Sequence, residues 1–188
     1  MDDLVEASQA LARSLLADQP LGTRWQHVQA VAQRAAQLSL ALPVADRPVL
    51  VAAAWLHDIG YSPRVIGTGL HALDGARYLQ RLGYPATVVR LVAHHTGAAF
   101  EAAQRHLARE FADFAAVDGP VLDALVTADL TSGPAGQPMT VSERIDEIFV
   151  RYPADHPVYL AMLNARPTLE ACTRRALARL SPADASTS

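Results

Sequence analysis

Apolar residues recur at intervals of three and four along most of this chain, the spacing that gives an α-helix one buried face. No segment shows the strict alternation of a β-strand, and no hairpin turn separates two apolar runs. The sequence therefore predicts an all-α fold with short connections. A chain of 188 residues, 51% of them hydrophobic, can bury one good core and would be crowded as two domains, so we expect a single domain.

Glycine and proline residues interrupt the helical spacing and mark the predicted helix ends. One helix start is defined more sharply, because Thr140 and Glu143 form a capping box. We expect a bundle of about eight to ten helices in one domain over residues 1–182, followed by a flexible tail over residues 183–188. The predicted helices cover about residues 4–17, 24–40, 46–58, 70–82, 85–95, 99–114, 121–130, a segment from 140, 155–165 and 168–180.

The charged residues narrow the chemistry. All 16 basic residues are arginine, so any cationic contact with a substrate must come from arginine or from a metal. The net charge is −3 and the arginines are scattered, which argues against a nucleic-acid surface. Cys172 is the only cysteine, which excludes an intramolecular disulfide and a thiolate zinc site and fits a reducing compartment.

The sequence also bears on location and partners. The first residues, MDDLVEASQA, lack the basic and apolar regions of a signal peptide. No apolar run approaches the ~20 residues that span a bilayer. We therefore expect a cytoplasmic protein that binds a small molecule and neither a membrane nor a nucleic-acid polymer. Its oligomeric state stays open at this point, a homodimer included.

The apolar third helix ends in the stretch VAAAWLHDIG, where two side chains able to bind a metal, His57 and Asp58, stand just before Gly60. Because helix ends can face a common cleft, side chains at several helix ends could converge there. Five further candidates lie at or near other predicted helix ends: His27, His71, His94, His95 and Asp129.

Each candidate has an ordinary explanation when taken singly. A histidine such as His27, beside apolar neighbours, is more often a hydrogen-bonded helix residue, and Asp129 alone is a helix-end carboxylate. Pairs such as His-Asp and His-His also arise by chance. The order of these residues along the chain is not explained in this way. The two other histidines, His106 and His156, are expected at the surface.

In the order of their candidate histidines and aspartates, residues 20–135 resemble the HD-domain superfamily of metal-dependent phosphohydrolases. This resemblance implies an HD-domain helical bundle. HALDGARYL (71–79) and VAHHTG (92–97) are similar to two motifs of its dinuclear branch. The resemblance implies that Asp58 bridges two divalent ions. It assigns the remaining ligands to the two ions as follows: His27, His57 and Asp129 to one, and His71 and His94, with a role for His95, to the other. Some dinuclear members use only one histidine of that pair.

This resemblance implies a reaction as well as a site. Imidazoles and carboxylates suit Mn, Fe, Co, Ni or Zn, so we expect two such divalent ions, with their identity open. Ions about 3.5–4 Å apart lower the pKa of a bound water and polarise phosphoryl oxygens, so that no lysine or serine nucleophile is needed. Asp58 is then a catalytic residue, and the implied substrate is a small phosphorylated metabolite or nucleotide.

Two departures from the family pattern bear on the substrate. Many members have HDIGK, whereas this chain has HDIGY, so Tyr61 stands where a lysine could meet a phosphate. Tyr61 also lacks the acidic side chain of the HDxxE deoxynucleotidase group. No GYP follows the double histidine, which argues against hydrolysis of a cyclic dinucleotide.

Arginine is the main candidate for contact with the substrate. Arg90 is four residues before His94 and therefore on the same helix face, so its fork could meet a phosphate as a catalytic and binding group. Alternatively, Arg90 is an exposed residue or a salt-bridge partner. Three further candidates for binding the substrate are Arg24, Tyr61 and Arg64.

Two other functions stay open. The same ligands are similar to those of the HD-fold mixed-valence di-iron oxygenases, which cleave inositol or aminophosphonates with O₂. The chain lacks a Tyr or Glu just upstream of His27 and the lysines that those enzymes use, which favours hydrolysis. The second alternative is a regulatory HD module without catalysis, but such copies usually lose ligands and this chain keeps all of them.

Overall fold

The structure, a computed structural model, describes residues 2–18 and 22–180 and confirms the all-α prediction. These residues form ten α-helices and two short 3₁₀ turns, Ile59–Tyr61 and His95–Gly97, with no β-strand among them. The predicted tail over residues 183–188 lies outside the described residues. The helices are α1 (Asp2–Leu16), α2 (Arg24–Ser39), α3 (Arg47–Leu56), α4 (His71–Arg81), α5 (Ala86–His94), α6 (Ala98–Gln104), α7 (Ala108–Phe111), α8 (Pro120–Leu130), α9 (Val141–Arg151) and α10 (Pro157–Leu180).

Helix α3 lies at the centre of the main core and packs against α1, α2, α5 and α8. Its alanines let the neighbouring helices approach closely, and its leucines, such as Leu50 and Leu56, are fully buried. A helix surrounded in this way must be apolar on most of its faces, which explains the run VAAAWL. Because α3 ends inside the bundle, the residues that follow it, His57 and Asp58, are buried as well.

A second, smaller core joins α8, α9 and α10 through residues such as Val126, Ile145 and Leu169. The capping box predicted at the start of α9 is present: the Glu143 N–H donates to Thr140 Oγ1 at 3.2 Å, and the Thr140 N–H donates to Glu143 Oε2 at 2.7 Å. This cap defines where α9 begins beside the end of α8.

Two predicted helix boundaries are wrong. The helix predicted over residues 99–114 divides into α6 and α7, because His106 has a φ of 59°, which no helix accommodates. Conversely, the two segments predicted over 155–165 and 168–180 form one helix, α10, that continues through Pro167. Proline removes one helical hydrogen bond, but packing along α6 and α8 supports α10 over its length.

The two histidines that were expected at the surface differ in their exposure. His106 is exposed as predicted, whereas His156 is half-buried and stacks on the ring of Tyr152, with 4.6 Å between ring centroids. Although α10 has 24 residues, none of the described helices combines the length and the apolar character needed to cross a membrane.

Candidate metal centre

Six of the seven predicted ligands form two groups of three; five of them line one cleft, and the sixth, His57, is buried beside it. Within each group, one ligand atom from every residue lies within 4.8 Å of the others. The group formed by His27, His57 and Asp129 is called the first triad, and the group formed by Asp58, His71 and His95 is called the second triad.

The first triad is assembled where α2, α3 and α8 pack against one another. His27 lies in the first turn of α2, His57 directly follows α3, and Asp129 lies in the last turn of α8. His27 Nε2 is 3.1 Å from Asp129 Oδ1 and 3.4 Å from His57 Nε2. All three residues are buried, so their polar atoms depend on one another or on a bound ion for partners.

The backbone determines which nitrogen of each ring faces the centre of the first triad. His27 Nδ1 contacts the Gly133 carbonyl at 3.1 Å, and His57 Nδ1 contacts the Ala54 carbonyl at 2.7 Å. A carbonyl only accepts, so both Nδ1 atoms must donate, and in the neutral rings both Nε2 atoms present lone pairs. Two lone pairs facing each other at 3.4 Å need a proton or a metal ion between them, so this donor set is compatible with a metal ion.

The charges around His57 also favour a cation in the first triad. Burial by itself would lower the pKa of His57, but the carboxylates of Asp58 and Asp129 outweigh burial and raise that pKa to about 9. The first triad therefore favours positive charge at its centre.

The second triad lies beside the first. Each of its residues stands at the start of an element: Asp58 precedes the turn Ile59–Tyr61, His71 begins α4 and His95 begins the turn His95–Gly97. His71, the first residue of α4, has its Nε2 3.5 Å from Asp58 Oδ1 and 3.2 Å from His95 Nε2. His95 donates from Nδ1 to the Val92 carbonyl at 2.6 Å, so its Nε2 is free to bind a metal. Burial lowers the pKa of His71 to about 3 and lowers the pKa of His95, so both rings are held in the neutral form that binds metals.

Asp58 connects the two triads because its two oxygens face different histidines. Oδ1 faces His71, whereas Oδ2 lies 3.4 Å from His57 Nε2 and 3.8 Å from His27 Nε2. Burial opposes a charged Asp58, but Arg24 and His57 hold the pKa of this carboxyl well below its usual range. An ionised carboxylate with one oxygen toward each triad is the arrangement that can bridge two ions.

The comparison with protein families agrees with this geometry. The HD domain model matches residues 24–145, a range that includes all six residues of the two triads. The chain belongs to the HD domain family. HD domains bind divalent metals and are largely hydrolases, and the two triads are compatible with a metal site of the HD type. Searches of curated proteins and of solved structures found no significant match.

Two of the predicted substrate-binding residues of this HD domain lie in the cleft. Arg24, three residues before His27 on the same face of α2, donates from Nη1 to Asp58 Oδ2 at 2.6 Å. Its guanidinium lies 4.0 Å from the ring centroid of Tyr61. On its other side Tyr61 stacks on His71, with 4.3 Å between centroids and an interplanar angle of 14°. Tyr61 therefore restrains both Arg24 and His71.

The structure does not bring His94 into either triad of this HD domain. Its Nε2 donates to the Phe114 carbonyl at 3.1 Å, and its ring lies edge-on to Phe111. The physical reason is the end of α5. His94 is its last residue and His95 begins a 3₁₀ turn, so the two side chains point in different directions and only His95 faces the cleft.

Two predicted arginines also lie away from the cleft, contrary to expectation. Arg90 shares the helix face of His94 and turns away with it, and its Nε donates to the Ala86 carbonyl at 3.4 Å. Arg64 is exposed and donates from Nη1 to the Ser14 carbonyl at 3.5 Å. Neither side chain lines the cleft, so we assign neither of them to the site.

Two further residues hold parts of the site in position. Buried Asp74 accepts hydrogen bonds from the N–H groups of Gly67, Thr68 and Gly69, which ties down the loop that leads into His71. Thr96, with a φ of 51°, donates from its hydroxyl to Asp129 Oδ2 and leaves Oδ1 to the first triad. A histidine-rich motif gives no signal for either contact, because both depend on how loops return to the site.

The outer wall of the cleft comes from the segment after the ligands. α9 contributes Arg144 and Arg151, and α10 contributes apolar residues such as Ala161 and Met162. Arg144, Glu147 and Arg151 are spaced by three and four residues, which places them on one face of α9. This spacing is the sequence signal that could have pointed to a charged face on α9.

Proposed function

We propose that this HD domain hydrolyses the phosphate ester of a small phosphorylated metabolite or nucleotide with the help of two divalent metal ions. The observation that carries the proposal is the placement of Asp58, which directs one oxygen toward each triad. A site for a single ion needs only one such group of ligands, whereas two ligand groups joined by a carboxylate are typical of dinuclear hydrolysis.

The six ligands divide between the two ions according to the distances between their ligand atoms in the structure. His27, His57 and Asp129 would hold one ion, and His71 and His95 the other, with Asp58 shared by both. Of the two predicted ligands from the double histidine, this assignment keeps His95 and omits His94. Bound ions would supply a water of lowered pKa and would polarise the phosphoryl oxygens.

The remaining residues would orient the substrate. Arg24 is held by Asp58 on one side and by the Tyr61 ring on the other, so its guanidinium has a defined direction at the site. Its N–H groups that are not engaged by Asp58 can donate to phosphate oxygens. Tyr61 occupies the position of the lysine in HDIGK, and it acts on phosphate indirectly by restraining Arg24.

The test combines metal content with turnover. Protein purified anaerobically without chelator is analysed by elemental mass spectrometry and assayed for release of inorganic phosphate from phosphomonoesters, phosphodiesters and nucleotides. Two ions per chain and phosphate release are expected, and Asp58→Ala is expected to lose both. Asp118→Ala, which removes an exposed carboxylate outside the cleft, serves as the control and should match the unmodified chain.

Two outcomes would overturn the proposal. A protein that binds no ion after Mn, Fe, Co, Ni or Zn is added back has no metal centre and would be a regulatory module. A protein that holds two iron ions, consumes O₂ with a small organic substrate and releases no phosphate from any ester would be an oxygenase.

A further inference from the structure

The wall that α9 adds to the cleft carries two arginines, Arg144 and Arg151. Together with Arg24 from α2, they line the cleft of the metal centre and also a second opening beside it. Both openings reach His27 of the first triad. The three arginines therefore line both openings next to His27 of the first triad.

Arg144 is only 6% exposed, yet its Nε has no hydrogen-bond partner among the residues that the structure describes. Its Nη1 is engaged by Glu147, which leaves Nε unsatisfied. A buried, charged N–H group without an acceptor is rare in proteins because it forfeits the hydrogen bonds that it would make with water. The Nε atom itself is enclosed, but Arg144 lines the cleft, so a ligand bound there can contact the part of its guanidinium group that is exposed.

The charge balance of this wall indicates an anionic ligand. Glu147 is the carboxylate partner of both Arg144 and Arg151. The acidic residues that line the cleft are Asp58 and Asp129 of the triads and Glu101 of α6, which is paired with Arg105, 2.6 Å away. One carboxylate therefore serves two guanidinium groups, and positive charge remains for a ligand.

We propose that Arg144 and Arg151, with Arg24 beside them, form an anion subsite that holds a phosphate group of the substrate next to the metal centre. This inference rests on the proposed function for the identity of the anion. Guanidinium forks match the geometry of phosphate oxygens, and Arg144 and Arg151 share the single carboxylate of Glu147, so a bound phosphate would supply a second anion. Glu147 is a positioning residue that holds the two arginines of α9 toward the cleft.

The experiment is a calorimetric titration of inorganic phosphate into the metal-loaded full chain. Arg144→Gln and Arg151→Gln are each expected to weaken phosphate binding by about tenfold or more, the scale of one lost charge-assisted contact. Arg166→Gln is the matched control, because Arg166 pairs with Glu170 four residues away on α10 and lies outside the cleft. It should bind phosphate like the unmodified chain.

Arg144 is buried, so its variant is compared with Arg151→Gln, which removes a partly exposed side chain. Metal content and melting temperature are measured for each protein. Unchanged phosphate affinity in both variants, with two ions still bound, would overturn the subsite.

The failure of the subsite and the failure of the proposed function are distinguishable. If the unmodified chain hydrolyses phosphate esters and both variants keep its KM, the subsite is wrong and the function stands. If phosphate binding weakens in the variants while the unmodified chain releases phosphate from no ester, the subsite stands and the function is wrong.

Discussion

Gly60 packs directly against the backbone of His71: a Cβ at residue 60 would lie 1.9 Å from the His71 carbonyl oxygen. The glycine that ends VAAAWLHDIG therefore does more than stop a helix. It lets the start of α4 pass close to the end of α3, which brings His71 of the second triad within reach of Asp58.

Substitution of Gly60 should therefore damage the second triad selectively. Gly60→Ala is expected to displace His71, to lose one of two ions and to destabilise the fold by about 1–3 kcal/mol, as overpacking does. The readouts are metal content and chemical denaturation. Gly67→Ala is the control, because a Cβ there would meet its nearest neighbour at an ordinary 3.4 Å. Two ions retained in Gly60→Ala would contradict this role.

The two adjacent histidines provide a matched pair for the ligand assignment. His95→Ala is expected to lose the second ion, because it removes an Nε2 that faces His71 at 3.2 Å. His94→Ala should keep both ions and lose only its contacts with Phe111 and Phe114. Elemental analysis of the two variants decides the point, and loss of an ion in His94→Ala alone would reverse the assignment.

Removal of metal should lower thermal stability. Without bound ions, the buried carboxylates of Asp58 and Asp129 keep only the neighbouring side chains as partners, whereas ions bound only to the folded chain stabilise it by mass action. At metal concentrations of about 100 times Kd, each ion contributes about 2.7 kcal/mol, which corresponds to a shift in melting temperature of about 5–10 °C per ion. Calorimetry with and without chelator measures the shift. Asp58→Ala should show none, and an equal shift there would refute the explanation.

A prediction away from the metal centre concerns Asp123, which joins α8 to α10. This buried carboxylate accepts hydrogen bonds from Arg175 Nε and Arg179 Nη1, both at 2.9 Å. Burial opposes its charge, but the two arginines lower its pKa below the usual value. Because the pKa of this carboxyl is lower in the folded chain than in the unfolded chain, where it is about 3.9, the ionised group stabilises the fold at pH values above about 3.9. This stabilisation is lost as the pH falls from there through the pKa of the folded chain.

Asp123→Asn should therefore reduce the free energy of unfolding by about 1–3 kcal/mol at pH 7, since two partly exposed arginines lose their anion. The difference from the unmodified chain should narrow as pH falls below about 4. Urea denaturation across this range is the measurement, with Asp118→Asn as the exposed control. A difference that does not depend on pH would show that packing, and not charge, is responsible.

Much of the fold and the identity of most site residues follow from the sequence, because they depend on local properties. Helical spacing decided the all-α class, and the capping box at Thr140 fixed the start of α9 through contacts within four residues. The order of histidines and aspartates predicted seven ligands at or near helix ends, and the structure brings six of them together in the two triads.

Only the tertiary structure decided which side chains face that cleft. The sequence does not distinguish His94 from His95, because the difference depends on a change from α-helix to 3₁₀ turn that turns one ring outward. The sequence also favoured Arg90, whereas the structure places Arg144 at the cleft through the packing of α9 beside α8. Helix periodicity shows which residues share a face, but the direction of that face is set by contacts between segments distant in the chain.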